Sequence, residues 1–249
     1  MRRLLVIGIG AGDPEHVTVQ AIKALNRVDV FFVVEKPGAR ADLVELRGEI
    51  IKRYVERPSY RTVDVPDPER DRAADAYTEA VEDWRRRRAE TWQRSIDAEL
   101  AEGETGAFLV WGDPALYDST LAVLERIELD LDVEVIPGIS SVQALTARHR
   151  IPLNRVGGAV QVTTGRRLAR GLPDDVDDVV VMLDADCTFK HLDEPGLHIY
   201  WGAYVGTEDE LLIEGRLPEV AATIEQARAD ARERKGWVMD TYLLRRRNS

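Results

Sequence analysis

The chain predicts an α/β fold of two domains, the first built on a mainly parallel sheet and the second on a mixed sheet, and three observations carry that prediction. Short apolar runs end in glycine-bearing turns that pass straight into helix starts, and three such turns fall within the first 141 residues. Between the runs lie stretches with apolar residues spaced three and four apart, the alternation of a βαβ chain. Beyond Ile151-Pro152-Leu153-Asn154 the strand-like segments come closer together and read in places as hairpins. Domains of 1–138 and 139–249 are the simplest division.

The first strand is Leu4-Leu5-Val6-Ile7, ending in Gly8-Ile9-Gly10-Ala11-Gly12-Asp13-Pro14. Asp13 before Pro14 reads as an N-cap followed by proline at the first helical position. A helix from Thr18 to Arg27 follows, with Thr18 as cap and Val19, Ile22 and Leu25 at helical spacing. Val30-Phe31-Phe32-Val33-Val34 is a fully apolar second strand. Residues 35–72 are polar and proline-punctuated, with a short helix from Ala41 to Tyr54. A long helix then runs from about Ala73 to Leu100. Its apolar stripe of Tyr77, Val81, Trp84, Trp92, Ile96 and Leu100 is broken by Arg88. Because Asp83 and Glu90 interleave with Arg85 to Arg88, that run reads as solvated helix surface.

Strand 107–111, helix 119–128 and strand 132–136 complete the first domain, and helix 140–149 follows. Later strands are placed at 159–163, 179–183, 198–201, 210–214 and 237–244. A helix over 218–233 turns Val220, Ile224, Ala227 and Ala231 inward.

With 249 residues, 44% of them hydrophobic, the chain can bury one large core or two modest ones. No apolar run approaches the ~20 residues of a membrane span, so the expectation is a soluble, cytoplasmic protein. The single cysteine, Cys187, excludes an intramolecular disulfide. The four histidines have no metal-ligand spacing, and no metal is expected. A net charge of −11 argues against nucleic acid as partner. Arg148, Arg150, Arg155, Arg166, Arg167 and Arg170 nevertheless crowd one stretch. They read either as a solvated face or as a basic wall for a polyanionic small molecule.

The three turns end strands of a parallel sheet, where ligands of such folds bind. The first is not a dinucleotide fingerprint, since Asp13 stands where the third glycine would be and would face a pyrophosphate. The second, Trp111-Gly112-Asp113-Pro114, puts a carboxylate between Trp111 and Tyr117, which suits a cationic or ribose-bearing ligand. The third, Ile136-Pro137-Gly138-Ile139-Ser140-Ser141, offers two hydroxyls at a helix start, able to cap or to bind.

Taken in order, these segments resemble one family. Val6 to Pro14, Val110 to Tyr117 and Val135 to Leu153 are similar to signature segments of the tetrapyrrole methylases, class III S-adenosylmethionine methyltransferases. Val179 to Leu183 resembles that family's strand at the adenosine site, and Trp201 to Glu210 with Gly215 and Leu217 its second-domain hairpin. Ala11 departs from the pattern, standing where most members carry proline. Val33 to Lys36, Asp42 to Arg47, Arg61 to Arg72 and Tyr200 to Tyr204 resemble the deacetylating branch. That branch implies methylation at C-1 of precorrin-5 with the acetyl group lost as acetate. A sibling corrinoid methylase, a diphthine-synthase-like protein methylase and a non-catalytic nucleotide-binding module are the alternatives.

The resemblance implies S-adenosyl-L-methionine as cofactor, S-adenosyl-L-homocysteine as product, and a cofactor cleft between the domains. Its binding residues would be Gly10, Ala11, Trp111, Gly112, Asp113, Tyr117, Ser140, Ser141, Met182, Leu183, Trp201, Gly202 and Ala203. Asp113 and Glu35 are the catalytic candidates, as bases for acetyl loss, by position alone. Lys36, Arg40, Arg166 and Arg167 are the expected clamp for a precorrin's carboxylates. A homodimer, with no nucleic-acid or membrane partner, completes the expectation.

Overall fold

The computed structural model describes residues 1–35, 41–57, 59–69, 77–194 and 196–246. The side chains of 35, 41–44, 77 and 78 lie outside that description, as do Lys36 and Arg40 altogether. The chain separates into two compact units, Met1–Ser140 and Ser141–Ser249. The sequence places the boundary after Gly138.

In the first unit, β1 (Arg2–Gly8), β2 (Val30–Glu35), β3 (Arg61–Pro66), β4 (Thr105–Val110) and β5 (Leu131–Ile136) form a five-stranded sheet of order β3-β2-β4-β1-β5. Every neighbouring pair is parallel. The interior strands β1 and β4 are near-continuous apolar runs because helices cover both faces of the sheet. One face packs under α1 (Val19–Leu25) and α2 (Ala41–Tyr54), around Leu5, Ile7, Leu25, Phe31 and Ile50. The other packs under α3 (Tyr77–Glu99) and α4 (Thr120–Leu124). There Trp92 stacks on Phe108 at 4.2 Å between centroids, and Phe108 on Phe32 at 5.4 Å.

The capping signals are borne out. Asp13 accepts a hydrogen bond from the Glu15 amide at 2.8 Å, with Pro14 opening a short 3-10 turn. Thr18 accepts from the Ala21 amide at 3.0 Å and starts α1. Other expectations are corrected. Val19 is 68% exposed, and α1 buries Ala21 and Ala24 along with the expected Leu25. Helix α4 is much shorter than 119–128. Strand β3 falls within the stretch expected to be polar and proline-punctuated, since it is an edge strand with only Val65 buried and so carries no apolar run. Arg88 is not solvated surface. It lies 5% exposed on the apolar stripe, one turn from Trp84 and one from Trp92.

The second unit begins with α5 (Ser141–Arg148). Its strands are β6 (Val160–Thr164), β7 (Asp178–Met182), β8 (Leu197–Ala203), β9 (Leu211–Arg216) and β10 (Asp240–Arg246). The order is β6-β7-β10-β8-β9, with β6 and β7 parallel and the remaining pairs antiparallel, so the sheet is mixed as the shortened spacing suggested. A short α6 (Gly165–Leu168) and the long α7 (Leu217–Lys235) cover it over Trp201, Phe189, Ile224 and Tyr242. Gly236, at φ 75°, ends α7 in the left-handed conformation favoured there, donating its amide to the Arg232 carbonyl at 2.7 Å.

Candidate functional site

In the first unit the three glycine turns converge at the carboxyl ends of β1, β4 and β5. Gly10 and Gly112 form an isolated antiparallel bridge, with the Gly112 amide donating to the Gly10 carbonyl at 2.8 Å. The third turn packs directly onto the other two. A Cβ on Gly138 would lie 2.1 Å from the Gly112 carbonyl oxygen and 2.9 Å from the Gly8 Cα, so only glycine allows this approach. The reason for glycine at 10 is different. Its φ is 87°, and an added Cβ would meet the His16 Cβ at 2.4 Å.

Asp113 holds this arrangement together. One carboxylate oxygen accepts from the Ala115 amide at 2.8 Å, fixing its own turn, and the other accepts from the Gly138 amide at 2.9 Å, tying the second turn to the third. Trp111 is half-buried, Ala11 is buried and Ser140 is 4% exposed. Tyr117 projects from the loop at φ 50° and is 45% exposed, a left-handed tyrosine beside a convergence of loops. Glu35 closes β2, but its side chain lies outside the described residues, and so do Lys36 and Arg40.

Two arginines at this end of the sheet were not singled out for the site from the sequence. The Arg47 Nε, on α2, donates to the carbonyl of Leu109 at 3.2 Å. Arg88, on α3, has its guanidinium carbon 4.7 Å from the ring centroids of both Trp84 and Trp92. Its Nε lies 2.7 Å from Asp67, and an Nη donates to the Ser119 hydroxyl at 2.6 Å. Burial lowers the pKa of both guanidinium groups, with Asp118 opposing the shift in each and Asp67 opposing it for Arg88. The four-residue repeat from Trp84 through Arg88 to Trp92 was the available signal. The acidic residues Asp83 and Glu90 interleaved with Arg85 to Arg88 mask that signal, because they make the run look like solvated surface.

In the second unit, β7 ends at Met182, and Leu183 turns through φ 56° with its side chain 66% exposed. The turn is held from beneath by Asp184, which is 4% exposed. Its two oxygens accept from the Asp186 and Thr188 amides, the Thr188 hydroxyl and the Tyr242 hydroxyl at 2.6–3.1 Å. Arg228 links the Asp184 carbonyl at 3.1 Å to the carboxylate of Asp240 at 3.1 Å, and the Trp201 indole donates to the same Asp240 oxygen at 3.0 Å. Burial lifts the Asp240 carboxyl above the usual range while Arg228 and Trp201 pull it down. Trp201 and Ala203 are fully buried, so what they can offer a ligand is backbone. Gly202 lies between them on β8, paired with Thr241 and Leu212. Ser141 reaches Thr241, hydroxyl to hydroxyl, at 3.2 Å.

Two of the six arginines of the expected basic wall are ion-paired among the described residues. Arg148 is bound to Glu210, and Arg155 to Asp177 and Asp178. Arg166 and Arg167 sit exposed on α6.

Residues 3–221 match the model of the Tetrapyrrole (Corrin/Porphyrin) Methylases. The chain belongs to that family. This tetrapyrrole methylase is 49% identical over 250 residues, 99% of its own length and 96% of the relative's, to a Sinorhizobium sp protein named precorrin-6A synthase [deacetylating]. It is 33% identical over 72% of both chains to a Sinorhizobium sp precorrin-2 C(20)-methyltransferase. Among solved structures, a cobalamin-synthesis-related protein (CobF) from Corynebacterium diphtheriae matches the whole of both chains at 37% identity and a TM-score of 0.87. A uroporphyrin-III C-methyltransferase from Thermus thermophilus, solved with S-adenosylhomocysteine, shares the methylase's fold at TM-score 0.60 and 18% identity, over 97% of this chain and 91% of its own. No helix among the described residues is long and apolar enough to cross a membrane.

Proposed function

We propose that this methylase acts in corrin biosynthesis, using S-adenosyl-L-methionine to methylate C-1 of precorrin-5 and releasing the acetyl group as acetate to give precorrin-6A. The observation that carries this reading is the 49% identity, over nearly the full length of both chains, to a relative of that named activity. The local geometry supports it. The glycine turns bring three strand ends close enough for backbone groups to line a ligand, and the exposed, left-handed Leu183 offers an apolar surface suited to a flat purine.

When bound, the sulfonium cofactor supplies an electrophilic methyl group. The protein's own task is then to align an electron-rich ring carbon, and such positioning is worth about 7–11 kcal/mol. Gly10, Ala11, Trp111, Gly112, Tyr117 and Ser140 are the proposed cofactor residues of the first unit, and Ser141, Met182, Leu183, Trp201, Gly202 and Ala203 those of the second. Loss of the acetyl group requires water to add to its carbonyl. The carbon–carbon bond then breaks, its electron pair passing to the ring and the water oxygen leaving in acetate. Glu35 and Asp113 are the proposed bases for that water. Both oxygens of Asp113 already accept backbone amides, so its first duty is positioning. Lys36, Arg40, Arg166 and Arg167 are the proposed clamp for the substrate's carboxylates. The reading includes a cytoplasmic homodimer, which light scattering on the purified chain would test by its mass.

Incubation with precorrin-5 and methyl-labelled cofactor, with acetate assayed, tests the proposal. Label in the tetrapyrrole together with one acetate per methyl is the expected result. Label without acetate would place the chain with its C-methylating siblings instead. No label transfer would remove the assignment.

A further inference from the structure

We propose that Arg47 is a carboxylate receptor, the group that binds one acidic side chain of the tetrapyrrole at the carboxyl end of the first sheet. The inference rests on the methylase reading above and deepens it by naming a substrate-binding residue outside the expected clamp.

Arg47 stands apart from the other arginines. Among the described residues it is the arginine that lies off the exposed surface and yet has no carboxylate within ion-pair distance. Arg88, the nearest comparison, is closed on every side by Asp67, Ser119 and two indoles. Arg47 makes one hydrogen bond to a described residue, from Nε to the Leu109 carbonyl. That bond fixes the plane of the guanidinium and leaves its paired Nη groups to be directed elsewhere. Withdrawing a guanidinium from water without a partner is costly, and the cost is recovered only when an anion arrives. Planar bidentate recognition is what arginine does for carboxylates, and lysine cannot reproduce it.

Its position fits that role. Leu109 precedes Val110, the last residue of β4, and the Trp111–Tyr117 loop follows directly. Among the described residues, Asp118 and Arg88 are the charged groups felt at Arg47, one of each sign. Asp118 makes no contact ion pair with it. One Asp118 oxygen instead accepts from the Thr120 amide at 2.6 Å, at the start of α4. Asp67 balances Arg88. Among the described residues, Arg88 has Asp67 in contact while Arg47 feels Asp118 only at longer range, so at this edge Arg47 is the guanidinium without a contact carboxylate.

The test compares a corrin polycarboxylic acid with its fully esterified counterpart, each titrated into wild-type protein, Arg47→Gln and Arg47→Lys. The wild type should prefer the acid. Arg47→Gln should weaken binding of the acid by about 10–100-fold, the loss expected for one charge-assisted pair, and leave the ester unchanged. Arg47→Lys should recover only part of the preference. Affinity for S-adenosylhomocysteine, measured calorimetrically in the same variants, should stay within about twofold, since the change is local to the substrate side. If acid and ester weaken equally, or the acid does not weaken, Arg47 is structural and the inference fails. Should Arg47→Gln unfold, the acid-to-ester ratio of Arg47→Lys decides on the same terms. Wild-type protein that binds neither S-adenosylhomocysteine nor the acid would overturn the methylase reading itself, an outcome distinct from failure at Arg47.

Discussion

The two units hold their functional loops by opposite means. In the first, the loops after β1, β4 and β5 are placed by backbone against backbone. Gly8, Gly112 and Gly138 touch where no side chain could fit, and a single carboxylate, Asp113, stitches two of the turns. In the second, the turn after β7 is placed by buried polar side chains. Asp184, Tyr242, Arg228, Asp240 and Trp201 form one hydrogen-bonded network beneath an exposed Leu183. The difference follows from the sheets. In a parallel sheet the strand ends of β1, β4 and β5 leave on the same side, so their loops can meet and pack by shape. In the mixed sheet β7 runs parallel to β6 but antiparallel to β10, so only the β6 end leaves beside it, and its turn is braced mainly by buried polar side chains from the core below.

The largest test of this contrast is Arg228→Met. It leaves the Asp240 carboxylate buried without its cation, and a loss of about 3–5 kcal/mol is expected in the denaturant transition of the second unit. A loss below about 1 kcal/mol would mean that apolar packing, not the network, holds the Leu183 turn. Gly138→Ala should come next. The added methyl must push the Gly112 carbonyl away, costing about 1–3 kcal/mol in the first unit and weakening S-adenosylhomocysteine binding in calorimetry. Unchanged stability and affinity would show that the loops are not packed by shape.

Asp113→Ala removes the acceptor for two backbone amides. A loss of about 1–2 kcal/mol is expected, smaller for Asp113→Asn, which keeps one oxygen. If Asp113→Asn abolishes acetate release while sparing stability and methyl transfer, Asp113 is the base and its stitching role is secondary. The smallest effect concerns pH. Arg61 donates to both oxygens of Glu104 and the Ala101 amide adds a third bond, which together draw its carboxyl down to about 2. The folded value lies below the unfolded one, so this contribution is complete above the ordinary glutamate range and is lost as pH falls toward about 2. Glu104→Gln should therefore lower stability near neutrality by less than about 1 kcal/mol, the pair being at the surface, with the difference from wild type closing in acid. A difference that persists at the acid end would mean that the loss is one of packing.

Much of this could be read in advance. The glycine turns, the Asp13 and Thr18 caps, α2 at Ala41–Tyr54 and the mixed second sheet are local or periodic signals, and the structure carries each of them. The misses share a cause. β3 has one buried residue, Val19 faces solvent despite its helical spacing, and Arg88 is buried despite its charge. In each case burial is decided by what packs opposite, which no local pattern records.

By itself the sequence determined where the chain turns and what those turns can be made of, because left-handed φ angles and close backbone approach admit few residues besides glycine. It also determined the order of motifs that marks a tetrapyrrole methylase. Only the tertiary structure decided what the charges do. The carboxylate of Asp113 ties its own loop to that of Gly138, 25 positions along the chain, and Arg47 is left without a contact carboxylate among the described residues on an element remote in sequence. Electrostatic partnership depends on distance and on exclusion of water, and both are set only once the sheet has brought its strand ends together.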